Sequence, residues 1–375
     1  MKILHTSDWH LGMPVGTSSY EDDQRFFLKQ LYAVIQQEKV GAVLLAGDVY
    51  DSSVSNAAAI AIYNDAVTTI CAELGVPMIV IAGNHDSAAR LASCRALLKA
   101  SGLYVSGKLE HIIEPVLLDD GAVAVYPLPF FNKDEAAALF PDAEIRTQEQ
   151  AMQVVCQQIR QQLDPSRFNI IVSHSLIVQA ELSDSDRSAR IGFATAVSKD
   201  VFQGFDYVAL GHIHKPQCIS PQIRYSGSPV KYAFGPEETQ EKGIVLLDTA
   251  TGEQQFLSLP LLRDRKTAAG LYEELICRED LADCRLRLEV TDRYAGLELW
   301  ADLQSRFPHL LELRGKSLDE QDTLTALSVE ELHSMDECTI MQRFFAENFD
   351  YEPTGDQLQL FREVLAWSEE EVTLG

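Results

Sequence analysis

Lys2-Ile3-Leu4-His5-Thr6-Ser7-Asp8-Trp9-His10 is a short apolar run that ends in an Asp and a His, and this construction decides the fold. It recurs twice within the next eighty residues. Gly41–Ala46 (GAVLLA) runs into Gly47-Asp48, and Pro77–Ala82 (PMIVIA) runs into Gly83-Asn84-His85. Runs of four to eight apolar residues bounded by turn residues read as buried strands. Between them, Glu21–Lys39 carries Phe26, Phe27, Leu31, Val34 and Ile35 at helical spacing, Asn56–Leu74 is again helical, and a helix is expected over Ser87–Ala100. Strand alternating with helix predicts an α/β fold, with three successive strands each delivering a polar residue at its C-terminal end, where open α/β sheets place their sites.

The pattern continues further along. Residues 111–131 read as short strands and turns without a helix, and Thr147–Leu163 as a helix. Asn169–Ser173 leads to His174, and Tyr207–Leu210 to Gly211-His212-Ile213-His214. Ile223–Tyr225, Gly243–Asp248 and Gln254–Leu259 are expected to close a second sheet, giving two sheets face to face with helices outside. The charged stretch Arg263-Asp264-Arg265-Lys266 marks a boundary near residue 262. Beyond it, Cys284–Val290, Ala295–Phe307 and His309–Arg314 read as strand, helix and strand of a compact α+β module. Two apolar stripes at helical spacing follow, over Ile340–Phe349 and Leu358–Trp367.

The motif residues comprise Asp8 and Asp48, the carbonyl of Asn84, and five imidazoles (His10, His85, His174, His212, His214) out of nine in the chain. Each motif alone is weak, since Gly-Asp after a strand is an ordinary turn or helix cap. Their conjunction at strand ends is the ligand inventory of a two-metal hydrolytic centre. Oxygen and imidazole donors without thiolate suit Mn²⁺, with Fe²⁺, Zn²⁺ and Mg²⁺ as alternatives.

Composition bounds the rest. Hydrophobic residues at 46% and charged residues at 23% suit an ordinary globular chain, and no apolar run approaches the roughly 20 residues of a membrane span. The first residues show no secretory pattern. The seven cysteines never form a CxxC pair, so reduced thiols and a cytoplasmic location are expected. The formal charge is −25, with −10 over residues 1–250 and −15 over 251–375, and no basic stripe is evident. A grip on nucleic acid would have to come from local geometry, metals, a dimer or a partner.

In the order D-x-H, GD-x-x-D, GNHD, H and GH-x-H, the chain resembles the calcineurin-like metallophosphoesterases over roughly residues 1–250. The strings Met1–Gly12, Gly83–Ser87, Ala209–His214 and Tyr225–Pro229 are similar, more narrowly, to the nuclease-subunit family of SbcCD-type double-strand-break repair complexes. The resemblance implies a four-layer αββα sandwich over 1–262, an α+β capping domain over 263–335 and a helical partner-binding tail over 336–375. It implies one ion on Asp8, His10 and His214, another on Asn84, His174 and His212, and Asp48 bridging both. His85 would assist the leaving oxygen in hydroxide attack on a phosphodiester. Asp51, where some archaeal relatives carry a histidine, would orient it. The implied activity is a 3′-to-5′ double-strand exonuclease and a single-strand or hairpin endonuclease. The implied partners are an SbcC-type coiled-coil ATPase, which the tail would dock on, and DNA ends or hairpins, in a homodimer within a heterotetramer. Arg187, Arg190, Lys215, Ser228 and Lys231, together with Ser226, are the candidate DNA contacts, and Trp9 is expected to pack beneath the site. Asn56–Leu74 is a candidate dimer seam. Two other readings remain open: a phosphoesterase for a nucleotide, cyclic nucleotide or phosphoprotein, and a metal-free scaffold.

Overall fold

The computed structural model of the chain describes residues 1–16, 18–111, 113–182, 186, 195–315, 336, 339, 341–342, 353–355 and 357–362. The chain divides into two compact units, Met1–Lys316 and Ser317–Gly375.

In the first unit two six-stranded sheets lie face to face. One has the order Glu253–Ser258, Gly243–Asp248, Lys2–Thr6, Ala42–Ala46, Met78–Ile81, Leu103–Ser106. From Lys2–Thr6 to Leu103–Ser106 its strands run parallel, whereas Gly243–Asp248 pairs antiparallel with Lys2–Thr6, Leu4 opposite Leu246. The other has the order Gln217–Ser220, Ile223–Tyr225, Tyr207–Gly211, Phe168–His174, Val123–Leu128, Val116–Leu118. Only its two outermost strands are antiparallel to their neighbours.

The two-residue period of a strand explains why the runs are apolar throughout. Ile3, Leu44, Ile79 and Ile81 of the first sheet face Val125, Val172 and Ala209 of the second. Their neighbours Leu4, Val43, Leu45 and Val80 point outward, under Phe27, Leu31 and Ile62 of the helices Glu21–Glu38 and Ala57–Val67. On the other flank, Met152, Val155 and Ile159 of helix Gln148–Arg160 cover Ile171, Val208 and Leu210. The layers are therefore α, β, β, α. Side chains fix the helix starts: Asn56 accepts from the Ala59 N–H, and Thr147 with Gln150 forms a capping box.

Two sequence expectations need correction. Gly243–Asp248 and Glu253–Ser258 do not extend the second sheet; they return across the sandwich and complete the first one beside Lys2–Thr6. The helix expected over Ser87–Ala100 breaks into the turns Ala88–Leu91, Arg95–Leu98 and Lys99–Ser101, with Cys94 left-handed at φ 59°. Leu91 is the only residue of these three turns that is buried, so the segment has no continuous apolar face to hold it as one helix. The strand Leu103–Ser106 and the helix Lys133–Leu139 were not foreseen.

The division after Lys316 leaves the module expected from residue 263 partly inside the first unit. Its strands Arg265–Gly270, Arg285–Val290 and Leu310–Arg314 are parallel, and helix Leu297–Arg306 packs Leu299 and Leu303 with Leu286 and Leu288. Asp23, at the start of the first helix, accepts from both Arg263 (3.2 Å) and Arg285 (2.6 Å), tying this sheet to the sandwich. In the second unit, residues 341–342 and 357–362 are helical; the rest of the stripes Ile340–Phe349 and Leu358–Trp367 lies outside the described residues. Among the described residues no helix is long and apolar enough to cross a membrane.

Leu44 is fully buried between the sheets. Leu44→Ala should lower the unfolding free energy by roughly 2–5 kcal/mol, because the lost side chain leaves a cavity the two sheets cannot close. Leu117→Ala, at a half-exposed position, should stay within about 0.5 kcal/mol. Urea unfolding of the full chain measures both.

Candidate metal centre

All five motifs converge at one edge of the sandwich, because the parallel strands of both sheets point their C-terminal ends there. The loops are zipped together by their backbones: Asp8 N–H donates to the Gly47 carbonyl, His10 N–H to Asp48 and Leu11 N–H to Val49, at 2.9–3.0 Å. This geometry holds Asp8, His10, Asp48 and His212 at φ 54°, 43°, 48° and 98°, a left-handed conformation costing about 1–3 kcal/mol per side-chain-bearing residue. Two glycines make the approach possible. A Cβ on Gly83 would stand 2.1 Å from Asp48 Oδ1, and one on Gly211 would stand 1.9 Å from the Ala46 carbonyl.

The side chains form two adjoining groups. Asp8, His10 and His214 are one, with His10 Nε2 and His214 Nε2 3.0 Å apart and Asp8 accepting from the His212 N–H. Asn84 Oδ1, His174 Nε2 and His212 Nδ1 are the other, spaced 2.9–3.3 Å from one another. Asp48 lies between them, its Oδ2 3.2 Å from His174 Nε2 and 3.7 Å from His10 Nε2, while its Oδ1 accepts from the His85 N–H. Such spacings fit a divalent cation. Octahedral bonds of about 2.1 Å put neighbouring donors ~3.0 Å apart. His10 Nδ1 is buried without a hydrogen bond, and the groups contain no thiol.

Electrostatics point the same way. Burial pushes the Asp8 carboxyl up to about 6, against the pull of His174. Burial acts upward on Asp48 as well, but the charge and N–H of His174, then His10, hold it well below the usual carboxylate range. Burial opposes a charge on His174, yet Asp48 outweighs it and raises the imidazole to about 9. His212 and His214 are pushed down, by burial first and then by His174 and His10 respectively. Asp48 and His174 thus favour each other's charged forms.

The half-buried His85 sits beside His10, the rings edge to face at 4.9 Å. Its Nδ1 donates to the backbone carbonyl of Asp51 at 2.7 Å. The expected Asp51–His85 pair is therefore made by the peptide group. The Asp51 carboxylate turns instead toward His10 Nδ1, at 3.5 Å.

Of the candidate DNA contacts, three turn inward. Lys231 is buried, pairs with Asp264 at 2.7 Å and donates to the Glu238 carbonyl. Ser228 is fully buried and donates to the Val230 carbonyl. Ser226 is buried against Ser7, and Lys215 pairs with Glu181. Arg187 and Arg190 lie outside the described residues. Trp9 packs beneath the site against Phe27.

Sequence reasoning missed several supports. Asp86 accepts from the N–H groups of Val49, Tyr50 and Gly83, locking two motif loops together; its place at the end of GNHD was the available signal. Ser7 donates to Asp8, and Gln24 Nε2 donates to the His10 carbonyl at 2.8 Å from the first helix. No spacing rule pointed to Gln24.

A cation that takes His174 Nε2 must displace its proton. Metal uptake near pH 7 should therefore release protons, and affinity should rise with pH until His174 is deprotonated, near pH 9. Calorimetric titrations with Mn²⁺ in buffers of different ionisation enthalpy read both effects. A proton count of zero would contradict the assignment.

A family model described as calcineurin-like phosphoesterase matches residues 1–216. A curated relative from Staphylococcus epidermidis, named as the D subunit of nuclease SbcCD, is 31% identical over 363 residues, covering 93% of this chain and 94% of its own. Its counterpart from Staphylococcus saprophyticus is 30% identical, covering 92% of each chain. A solved structure, TT1561 of Thermus thermophilus, overlaps 68% of this chain and 98% of its own at 12% identity and a TM-score of 0.39. The match to the family model over more than half of the chain, and to the two relatives over nearly all of it, fixes the affiliation. The chain belongs to the calcineurin-like phosphoesterase family, in the branch of the SbcCD nuclease D subunits.

Proposed function

We propose that this chain is the hydrolytic subunit of an SbcCD-type DNA-end-processing nuclease. Asp8, His10 and His214 would hold one divalent ion and Asn84, His174 and His212 the other, with Asp48 shared. The observation that carries the reading is Asp48 itself: one buried carboxylate within 3.7 Å of imidazoles from both groups. All seven residues of the inferred set converge there, which argues against a metal-free scaffold. Relatives named as nucleases over more than nine-tenths of the chain favour this substrate class over a nucleotide or phosphoprotein.

Paired cations in such a centre draw charge from a phosphoryl group and supply a nucleophile at neutral pH. The chain's own contribution is orientation and one proton. With Nδ1 committed to the Asp51 carbonyl, Nε2 is the nitrogen that His85 has left to meet a phosphate. Protonated at Nε2, it donates to the departing 3′-oxygen as that bond breaks. The Asp51 carboxylate, beside His10 Nδ1, would steady that ring. The oxygen and nitrogen donors favour Mn²⁺, with Fe²⁺, Zn²⁺ or Mg²⁺ as substitutes.

The remaining parts are read from the family resemblance. The partners would be a coiled-coil ATPase of the SbcC type and DNA ends or hairpins, with two copies of this chain in a heterotetramer. Residues 263–335 would act as a capping module and 336–375 as the segment that meets the ATPase. A net charge of −25 supports a division of labour in which the partner contributes much of the grip on DNA. The six described cysteines are free, which suits the reducing cytoplasm.

Linear duplex DNA and bis-p-nitrophenyl phosphate, each with and without Mn²⁺, test the reading. His85→Gln should lower DNA cleavage by about 10²–10⁴-fold and leave Mn²⁺ binding intact. Hydrolysis of the small ester with DNA untouched, even beside the ATPase, would sink the nuclease assignment. Full DNA cleavage by His85→Gln would remove the acid role.

A further inference from the structure

Lys242 and Glu237 form an ion pair at 2.6 Å with both side chains fully buried. Nothing in the sequence motifs includes them. Withdrawing two charges from water is costly, and a buried pair is retained only where its geometry satisfies the remaining donors and acceptors. The Lys242 ammonium has three N–H donors, and its further contacts are the backbone carbonyl of His214 at 2.9 Å, Ser228 Oγ at 3.0 Å and Gln240 Oε1 at 3.2 Å. Glu237 in turn accepts from the Ala233 N–H at 2.9 Å.

We infer that Lys242, held by Glu237, is a positioning residue that fixes where the His214 imidazole stands, through the bond from its ammonium to the His214 carbonyl. The inference rests on the proposed reading of His214 as a metal ligand. His214 lies in the loop between strands Tyr207–Gly211 and Gln217–Ser220, outside both. Its peptide groups are tied from outside. The N–H donates to Asp186 Oδ1 at 3.0 Å, and the carbonyl accepts from the Ser228 N–H at 3.1 Å as well as from Lys242. Lys242 directly precedes strand Gly243–Asp248, which belongs to the other sheet. A ligand carried by one sheet is thus steadied by a cation anchored on the opposite one. The bond acts on one ligand group, because the other has its own anchor: His174 Nδ1 donates to the Ala46 carbonyl at 2.8 Å.

The test uses the full chain and Mn²⁺ alone. Isothermal titration gives the number and affinity of bound ions, and melting in EDTA gives stability separately. Lys242→Met combined with Glu237→Gln removes the ammonium without leaving a buried charge unpaired. It should bind one ion within threefold of the wild-type affinity and the other at least tenfold more weakly. Glu237→Gln alone keeps the ammonium but removes the carboxylate that holds it, and should weaken the same ion by less than the double variant does. Lys242→Gln, able to donate one bond, serves as the milder variant and should weaken the same ion by less. A folded double variant with a lower melting temperature but both ions at wild-type affinity would overturn the inference, since the pair would then be structural only. Equal weakening of both ions would overturn it too. Wild-type protein that takes up fewer than two ions would sink the metal reading together with this one.

Discussion

A carboxylate that is 2% exposed, Asp48, determines how the rest of the site is built. Its ion-pair partners are His10 and His174, and its hydrogen bond comes from the His85 N–H. An isolated buried carboxylate would take up a proton; this one is held ionised because three strand-end loops bring imidazoles and a peptide N–H to it. The glycine before Asn84 exists in that context: any side chain at position 83 would occupy the space of the Asp48 oxygen. The left-handed backbone of Asp8, His10, Asp48 and His212 is the conformational cost of convergence. The interleaved backbone hydrogen bonds between residues 8–11 and 47–49, backed by two apolar sheets, hold them there.

Much of this was legible in the sequence because it is local. A buried strand ending in a polar motif announces both the element and the residue it delivers, so Lys2–Thr6, Ala42–Ala46, Met78–Ile81 and Phe168–His174 were readable within a residue or two. The alternation of strands and helices gave an α/β fold, and the four-layer sandwich was what the family resemblance implied. What failed was non-local. Nothing within Gly243–Asp248 says which sheet it joins; the answer lies in its pairing with Lys2–Thr6. The broken segment 88–101 had helix-forming residues but no continuous face to bury. At the site, the contact between Asp51 and His85 runs through a carbonyl that every residue type possesses, not through the expected carboxylate. A side-chain argument could not have found that contact. Lys242 and Gln24 were invisible for the same reason: both act on backbone carbonyls of motif histidines, 28 and 14 positions away.

The distribution of charge qualifies the simple image of a basic cleft. Lys215, Lys231 and Lys242, the described lysines nearest the motifs, are each paired with a carboxylate of the same chain. They stabilise loops and are not offered as a field to attract a polyanion. Long-range steering of DNA therefore gains little from them, and charge complementarity near the cleft resides chiefly in the ligands and in whatever cations they hold.

The strand that opens the chain lies in the middle of its sheet. Lys2–Thr6 has Ala42–Ala46 on one side and Gly243–Asp248 on the other, and Met1 and Thr249, 248 positions apart, exchange hydrogen bonds. During synthesis, one edge of this apolar strand has no partner until residue 248 has left the ribosome. At the usual ~5–20 residues per second, that is a wait of roughly ten seconds or more, with an aggregation-prone edge exposed. Contacts of such sequence separation are also the slowest to form from the unfolded state. The same late closure brings Lys242 and the flanking loop against His214, so a nascent chain holds every residue of the candidate centre before these are held in place.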